Sequence, residues 1–217
     1  MDSSTADFYK RYARNLAVSP EASRSAMIAH VEATLSPGAS VLDVGSGSGR
    51  DVAAMVQAGF EAFGVEPSSD MLAFAFHAYP SLERRLAQAS LPLLGRPFSE
   101  RLPGGFDALI CSAVLMHLEP VELPQALDSM VEQLRAPTRN DVDATSPVLL
   151  ISLPHLDSSR LVEHRDTHGR RFHNHDPEQL RAHLGFRGLL LERSIESDAV
   201  LAATGTLWTT LIFRRTG

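Results

Sequence analysis

The stretch that most limits how this chain can fold is VLDVGSGSGRDV, residues 41–52. An apolar run over 40–45 ends on a glycine, and glycines recur at Gly45, Gly47 and Gly49. A helical period follows over 50–59, with Val52, Met55 and Val56 on one side and Gly59 as its stop. A strand that runs through a glycine turn into a helix brings bare backbone and unpaired helix-end N–H groups to one point. The same change of period recurs downstream. Strands are predicted over 61–66, 84–89, 106–113 and 147–153, and helices over 68–79 and 121–135. Ser68 or Ser69 caps the first of these helices. Such alternation implies an α/β fold, a Rossmann-like parallel sheet with helices on both faces.

The two ends of the chain read differently. Residues 5–35 are helical in pattern: Phe8, Tyr9 and Tyr12 share one side of a first short helix. Pro20 opens a second, with Met27, Ile28, Val31 and Leu35 at helical spacing. The turn SPG at 36–38 separates this cap or lid, residues 1–37, from a ligand-binding domain over 38–217. Near the other end, Asp176 caps a helix over 175–185, Pro177 takes its first position, Gln179 completes a capping box and Gly185 ends it. Strands over 187–197 and 206–215 follow. Their short connection requires antiparallel pairing. Residues 136–147 form a polar loop.

Composition narrows the function classes. The formal net charge of -6 argues against a nucleic-acid partner, although residues 160–175 are basic and rich in histidine. No apolar run approaches the roughly 18 residues of a membrane span. A single cysteine, Cys111, excludes an intrachain disulfide and suits a reducing, cytoplasmic setting. Cys111 lies mid-strand, where packing is its expected role, and Trp208 is expected to pack on the last strand.

The glycine turn invites a nucleotide, yet two familiar patterns fail. In G-x-G-x-x-G the third glycine position is Arg50, and no G-K-[ST] follows. The turn is therefore not built for a pyrophosphate. Two acids refine it. Asp43 precedes the first glycine by two residues, and Glu66 closes the second strand, where an acid can accept both hydroxyls of a ribose. An adenosine without pyrophosphate, beside an acid able to balance an ammonium group, suggests S-adenosylmethionine.

With these residues in view, the chain resembles a class I S-adenosylmethionine-dependent methyltransferase, of the small bacterial type 11/12-like group. VLDVGSGSGRD resembles that family's first motif, GVEPS (64–68) its second, and FDALICSAVLMHL (106–118) its strand-four motif. HDPEQLRAHLGF followed by two strands resembles its ending. The resemblance covers roughly residues 38–215. It implies a seven-stranded, mostly parallel sheet with the last strand antiparallel. It also implies a cofactor lying across the carboxyl ends of strands one, two and four. Asp43 and Gly45 would hold the methionine part, Gly47 and Gly49 would line the approach, and Glu66 would bind the ribose. Pro67 and Ser68 would flank the adenine, while Met71 is either a cofactor contact or core. Many family members carry an acid after strand three to meet the adenine. Here Ala89 or Ser90 takes that place. Ser46 and Ser112 complete the cofactor set.

Methyl transfer from a sulfonium needs alignment, exclusion of water and sometimes removal of a proton. His117, after strand four, is a candidate base, or else a histidine that orders backbone. His155 is a candidate for facing the acceptor. Phe8, Tyr9 and Tyr12 form either a mobile aromatic lid that favours a sulfonium or a permanently docked helix. The strand-four end lacks the N-P-P-[YFW] pattern of base-amine and glutamine methyltransferases, which leaves a small-molecule acceptor. The histidines at 164, 168, 173 and 175 match no closed zinc spacing, so no metal is expected. The alternatives are a non-catalytic protein that binds the nucleoside for regulation, or an NAD(P)-dependent oxidoreductase, against which Arg50 argues. Oligomeric state and acceptor are not encoded in any transferable pattern.

Overall fold

The structure is a computed structural model that describes residues 1–16, 25–138, 146–197 and 206–216. Its elements are α1 (Ser3–Asn15), α2 (Ala26–Thr34), β1 (Ser40–Val44), α3 (Arg50–Gln57), β2 (Glu61–Val65), α4 (Ser69–Ala78) and β3 (Leu86–Ala87). They continue with β4 (Ala108–Ser112), α5 (Leu123–Val131), β5 (Val148–His155), α6 (Pro177–Phe186), β6 (Leu189–Ser197) and β7 (Leu207–Arg215). The seven strands form one sheet in the order β3-β2-β1-β4-β5-β7-β6. β1 to β5 are parallel neighbours, and β7 runs antiparallel between β5 and β6. This is the expected seven-stranded arrangement.

Residue alternation along the central strands creates two cores. Leu42, Val44, Leu109, Cys111, Leu149 and Ile151 face α5 and α6. Val41, Ala108, Ile110, Val148 and Leu150 face α2, α3 and α4. Both faces are therefore covered, so these strands read as continuous apolar runs. Cys111 is fully buried, as its position mid-strand suggested. The chain leaves β3 at one edge and enters β4 on the far side of β1. That reversal opens a crevice at the carboxyl ends of β1, β2 and β4, where α/β sheets bind ligands.

Several boundaries differ from the sequence reading. The third strand is only Leu86–Ala87, because the chain beyond it turns off the sheet edge into the crevice. The helix expected over 121–135 is Leu123–Val131; after it, Gln133 carbonyl accepts the Phe106 N–H and draws the chain back to the sheet. β5 reaches His155 because antiparallel β7 continues to pair there, Pro154 with Trp208 and His155 with Leu207. Helix α6 does not stop at Gly185. It runs to Phe186, and Gly188 takes the left-handed turn at φ 75°. Asp176 caps it by accepting the Glu178 N–H at 2.9 Å; this bond involves Glu178 rather than Gln179. The Ser68 cap of α4 is present, accepting the Met71 N–H at 3.3 Å. The expected helix start at Pro20 lies outside the described residues, as does the loop between β6 and β7.

Candidate active site

Gly45 and Gly47 follow β1 with φ of 80° and 53°, a left-handed pair that glycine adopts without strain. Val65 carbonyl accepts both the Gly45 and Ser46 N–H groups, which fixes the turn against the end of β2. Gly45 also has a packing reason. A Cβ there would lie 2.3 Å from Val114 Cγ2, a side chain delivered from the end of β4. Gly49 serves a different purpose. It caps α3 at φ 75°, and a Cβ would press on Ala75, Leu82 and Leu86, so it seats α3 against α4 and β3.

Above the turn lies a cleft of about 660 Å³ that opens to solvent. Its lining joins Gly45 and Gly47 of the turn and Glu66 and Pro67 after β2 to Ala89, Ser90 and Leu91 after β3 and to Val114, His117 and Leu118 after β4. Tyr9 of α1 and Met1 also line the cleft, Tyr9 beside His117. Glu66 is buried, and its orientation is set by the backbone. Oε2 accepts the Gly47 N–H at 3.0 Å and Oε1 the Ser68 N–H at 2.8 Å. Burial raises the pKa of this carboxyl, while the Ser68 and Gly47 bonds oppose the shift. Asp43 lies beneath the turn on the Val41 face of β1. Burial first, then the charges of Asp51 and Glu66, push its pKa well up.

Two long-range bonds hold His117. Its Nδ1 lies 2.7 Å from the Arg171 carbonyl, which can only accept, so Nδ1 carries the proton. Burial lowers its pKa, leaving the ring neutral with a bare Nε2. Tyr9 Oη, 2.9 Å away, therefore donates to Nε2. Burial likewise raises the Tyr9 pKa, so the phenol is protonated. Arg171 also fastens α1, because its N–H donates to Thr5 Oγ1 at 2.8 Å. Thr5 is fully buried and passes its own hydroxyl proton to Asp2 Oδ2 at 2.6 Å. Asp2 caps α1 and pairs with Arg165 at 3.0 Å. One residue thus anchors both the helix over the cleft and the tautomer of the histidine inside it.

Residues 41–136 match the family model of a methyltransferase domain. The match spans less than half of the chain and marks that stretch as similar to a methyltransferase domain. The methyltransferase fold extends over nearly the whole chain. It superposes on magnesium protoporphyrin IX methyltransferase from Synechocystis PCC 6803, solved with bound SAH, at a TM-score of 0.64 and 18% identity, covering 98% of this chain and 86% of that one. A 1,6-didemethyltoxoflavin-N1-methyltransferase from Burkholderia thailandensis gives a TM-score of 0.64 at 20% identity, over 99% of this chain and 85% of that one. A TehB-like SAM-dependent methyltransferase from Corynebacterium glutamicum gives 0.64 at 17%, over 99% and 100%. No curated protein matches the sequence significantly.

The cleft gathers Gly45, Gly47, Glu66, Pro67, Ser90, His117 and Tyr9 from the residues singled out in the sequence. Others stand elsewhere. Ser46 backs onto Gly64 of β2, and Met71 is buried in α4 against the Gly47 turn. Ser112 is in β4 opposite Ser152, and His155 is exposed at the end of β5. Phe8 and Tyr12 stack on each other at 5.7 Å, outside the cleft. The Arg170 guanidinium lies 4.8 Å from the Phe8 ring centre, and Tyr12 is 46% exposed. Trp208 pairs with Pro154 in the sheet, as its strand position suggested. Sequence reasoning missed Val114, Leu118 and Leu94 as cleft walls, and Thr5 and Arg171 as anchors. The one local hint was Asp2 three residues before Thr5, a helix-start pattern.

The basic, histidine-rich stretch is matched by acids. Arg170 pairs with Asp166 at 2.7 Å, and Arg171 with Glu119 at 3.2 Å. The His164 and His173 rings stack at 4.6 Å, and His175 donates to the Leu115 carbonyl at 2.8 Å. Among the described residues no three His, Cys, Asp or Glu side chains group as metal ligands, and no helix is long and apolar enough to cross a membrane.

Proposed function

We propose that the protein uses S-adenosylmethionine to methylate an O, N or S atom of a small-molecule acceptor, by in-line displacement. The observation that carries this reading is Glu66, buried in the cleft lining with Gly45 and Gly47 and oriented by two backbone N–H groups. A carboxylate has about four lone-pair sites. Two remain to accept a ribose diol. The slot of Ala89, Ser90 and Leu91 suits an adenine. When bound, the cofactor supplies an activated methyl group.

The chain's own part is positioning and proton handling. Tyr9 and α1 keep water from one end of the cleft, and His117 Nε2 is poised to hold a proton that arrives through Tyr9 Oη. We take α1 as the cap, held by Thr5 and Asp2. The toxoflavin and porphyrin enzymes among the structural neighbours act on small molecules, which supports that acceptor class. The single, buried Cys111 suits a reducing cytoplasm.

Calorimetric titration with S-adenosylmethionine and with S-adenosylhomocysteine tests the reading. Saturable binding, weakened in Glu66→Ala, is the expected result. Binding of NAD in their place would overturn it, and binding without turnover on any acceptor would favour a regulatory protein.

A further inference from the structure

From the walls of the cleft we infer the acceptor's chemical class: an uncharged, largely apolar ring compound that presents one weakly acidic O–H or N–H to Tyr9. This rests on the methyl-transfer reading above. Among the described residues lining the cleft, Glu66 alone carries a charged side chain, and it belongs to the cofactor end. The acceptor end is Met1, Val114 and Leu118 around the Tyr9–His117 pair. A carboxylate or phosphate acceptor would need a cation there. The arginines behind this end are each paired with an acid: Arg165 with Asp2 at 3.0 Å, Arg171 with Glu119 at 3.2 Å, and Arg170, which also reaches Tyr9, with Asp166 at 2.7 Å, so its charge is already balanced. An anion placed against these apolar walls would be desolvated without a partner. A ring meets the Tyr9 face and the branched side chains at no such cost.

The hydrogen-bond direction identifies the reacting group. His117 Nδ1 is committed to the Arg171 carbonyl, so only Nε2 can take a proton, and Tyr9 fills it with its own hydroxyl. The acceptor's O–H or N–H therefore gives its proton to Tyr9 Oη while the Tyr9 proton moves to His117 Nε2. The freed lone pair forms the bond to the methyl carbon, the carbon–sulfur bond breaks, and its electron pair stays on sulfur. One proton ends on the imidazole, and the sulfonium charge is gone. A phenol or heterocyclic N–H is far more acidic than an aliphatic alcohol and gives up its proton to this Tyr9–His117 pair more readily.

The test uses 7-hydroxycoumarin and its charged analogue 7-hydroxycoumarin-3-carboxylate, titrated into the full chain saturated with S-adenosylhomocysteine. The neutral phenol is expected to bind at least about tenfold more tightly than the carboxylate, and to yield 7-methoxycoumarin when S-adenosylmethionine is supplied. Tyr9→Phe is expected to slow turnover at saturating coumarin about 10²-fold, well beyond the at most about tenfold loss of coumarin affinity that one neutral hydrogen bond is worth. Equal or tighter binding of the carboxylate, or no binding or methylation of the phenol, overturns the inference. Binding of S-adenosylhomocysteine alone is read first. If it fails, the methyl-transfer reading falls; if it succeeds and the coumarins fail, only the acceptor class falls.

Discussion

Tyr9 Oη and His117 Nε2 meet at 2.9 Å although 108 residues separate them. The Arg171 carbonyl fixes the bond's direction by holding the other ring nitrogen. The proposed proton relay works only while the imidazole is neutral. Burial lowers the His117 pKa below 6.5, so turnover should be flat through neutral pH and fall on an acid limb below 6.5. The pH dependence of kcat checks this. A limb above 6.5 would mean that His117 is not the group that titrates. Folding should show the same sign, because an imidazole held neutral costs stability as pH falls from the unfolded pKa toward the folded one.

Thr5 Oγ1 accepts the Arg171 N–H and donates to Asp2, so Thr5→Val strands the Arg171 N–H in a buried site and removes one of Asp2's bonds. The expected cost is about 1–3 kcal/mol, with Thr5→Ser retaining most of the stability. Amide hydrogen exchange should show α1 opening more readily in Thr5→Val, while β1 and β4 keep their protection. If α1 exchanges as in the wild type, the Thr5–Arg171 bond is not what fastens the cap.

Asp2 adds an acid-sensitive part to the same clasp. Burial opposes its ionisation, but the bonds from Thr5 and Arg165 outweigh that and bring its pKa to about 2. A depressed carboxyl stabilises the fold above its unfolded pKa and loses that contribution as pH falls through the folded one. Asp2→Asn should therefore lose on the order of 1–2 kcal/mol at neutral pH, discounted for partial exposure of the pair. The wild-type and variant melting curves should converge between pH 4 and about 2.

Glu66→Ala removes the acceptor proposed for the ribose and leaves the Gly47 and Ser68 N–H groups to solvent or ligand. A loss of about 10- to 100-fold in affinity for S-adenosylhomocysteine is expected, the worth of one or two hydrogen bonds to a charged group. Near-native melting would show that the fold survives. Unchanged affinity would remove Glu66 from the site.

Gly45→Ala combines a left-handed backbone with a Cβ 2.3 Å from Val114 Cγ2. It should destabilise by about 2–4 kcal/mol. Adding Val114→Ala should recover the steric part and leave the backbone part. Gly38→Ala, also at positive φ but facing open space, is the control and should show the backbone part alone. If both single glycine variants melt alike, close approach at Gly45 does not matter.

The sequence by itself determined the layered sheet and the glycine-and-glutamate part of the cleft. Those features are written in local signals: apolar runs such as 41–44, helical periods such as that of Val52, Met55 and Val56, glycines at Gly45 and Gly47, and an acid closing the next strand at Glu66. Each involves neighbours in sequence, so periodicity and turn chemistry reach them. Local signals were weaker at ends set by partners. β5 continued to His155 because β7 pairs there, and α6 ran through Gly185 because Gly188 provides its left-handed turn. Only the tertiary structure decided the Tyr9–His117 part. Tyr9 finds His117 across 108 residues, Thr5 finds Arg171 across 166, and Val114 closes over Gly45 from another strand. These contacts arise when α1 docks onto the stretch before α6, and they depend on the direction and burial of single side chains. No local period records such a meeting, because the partners lie 108 and 166 residues apart in sequence.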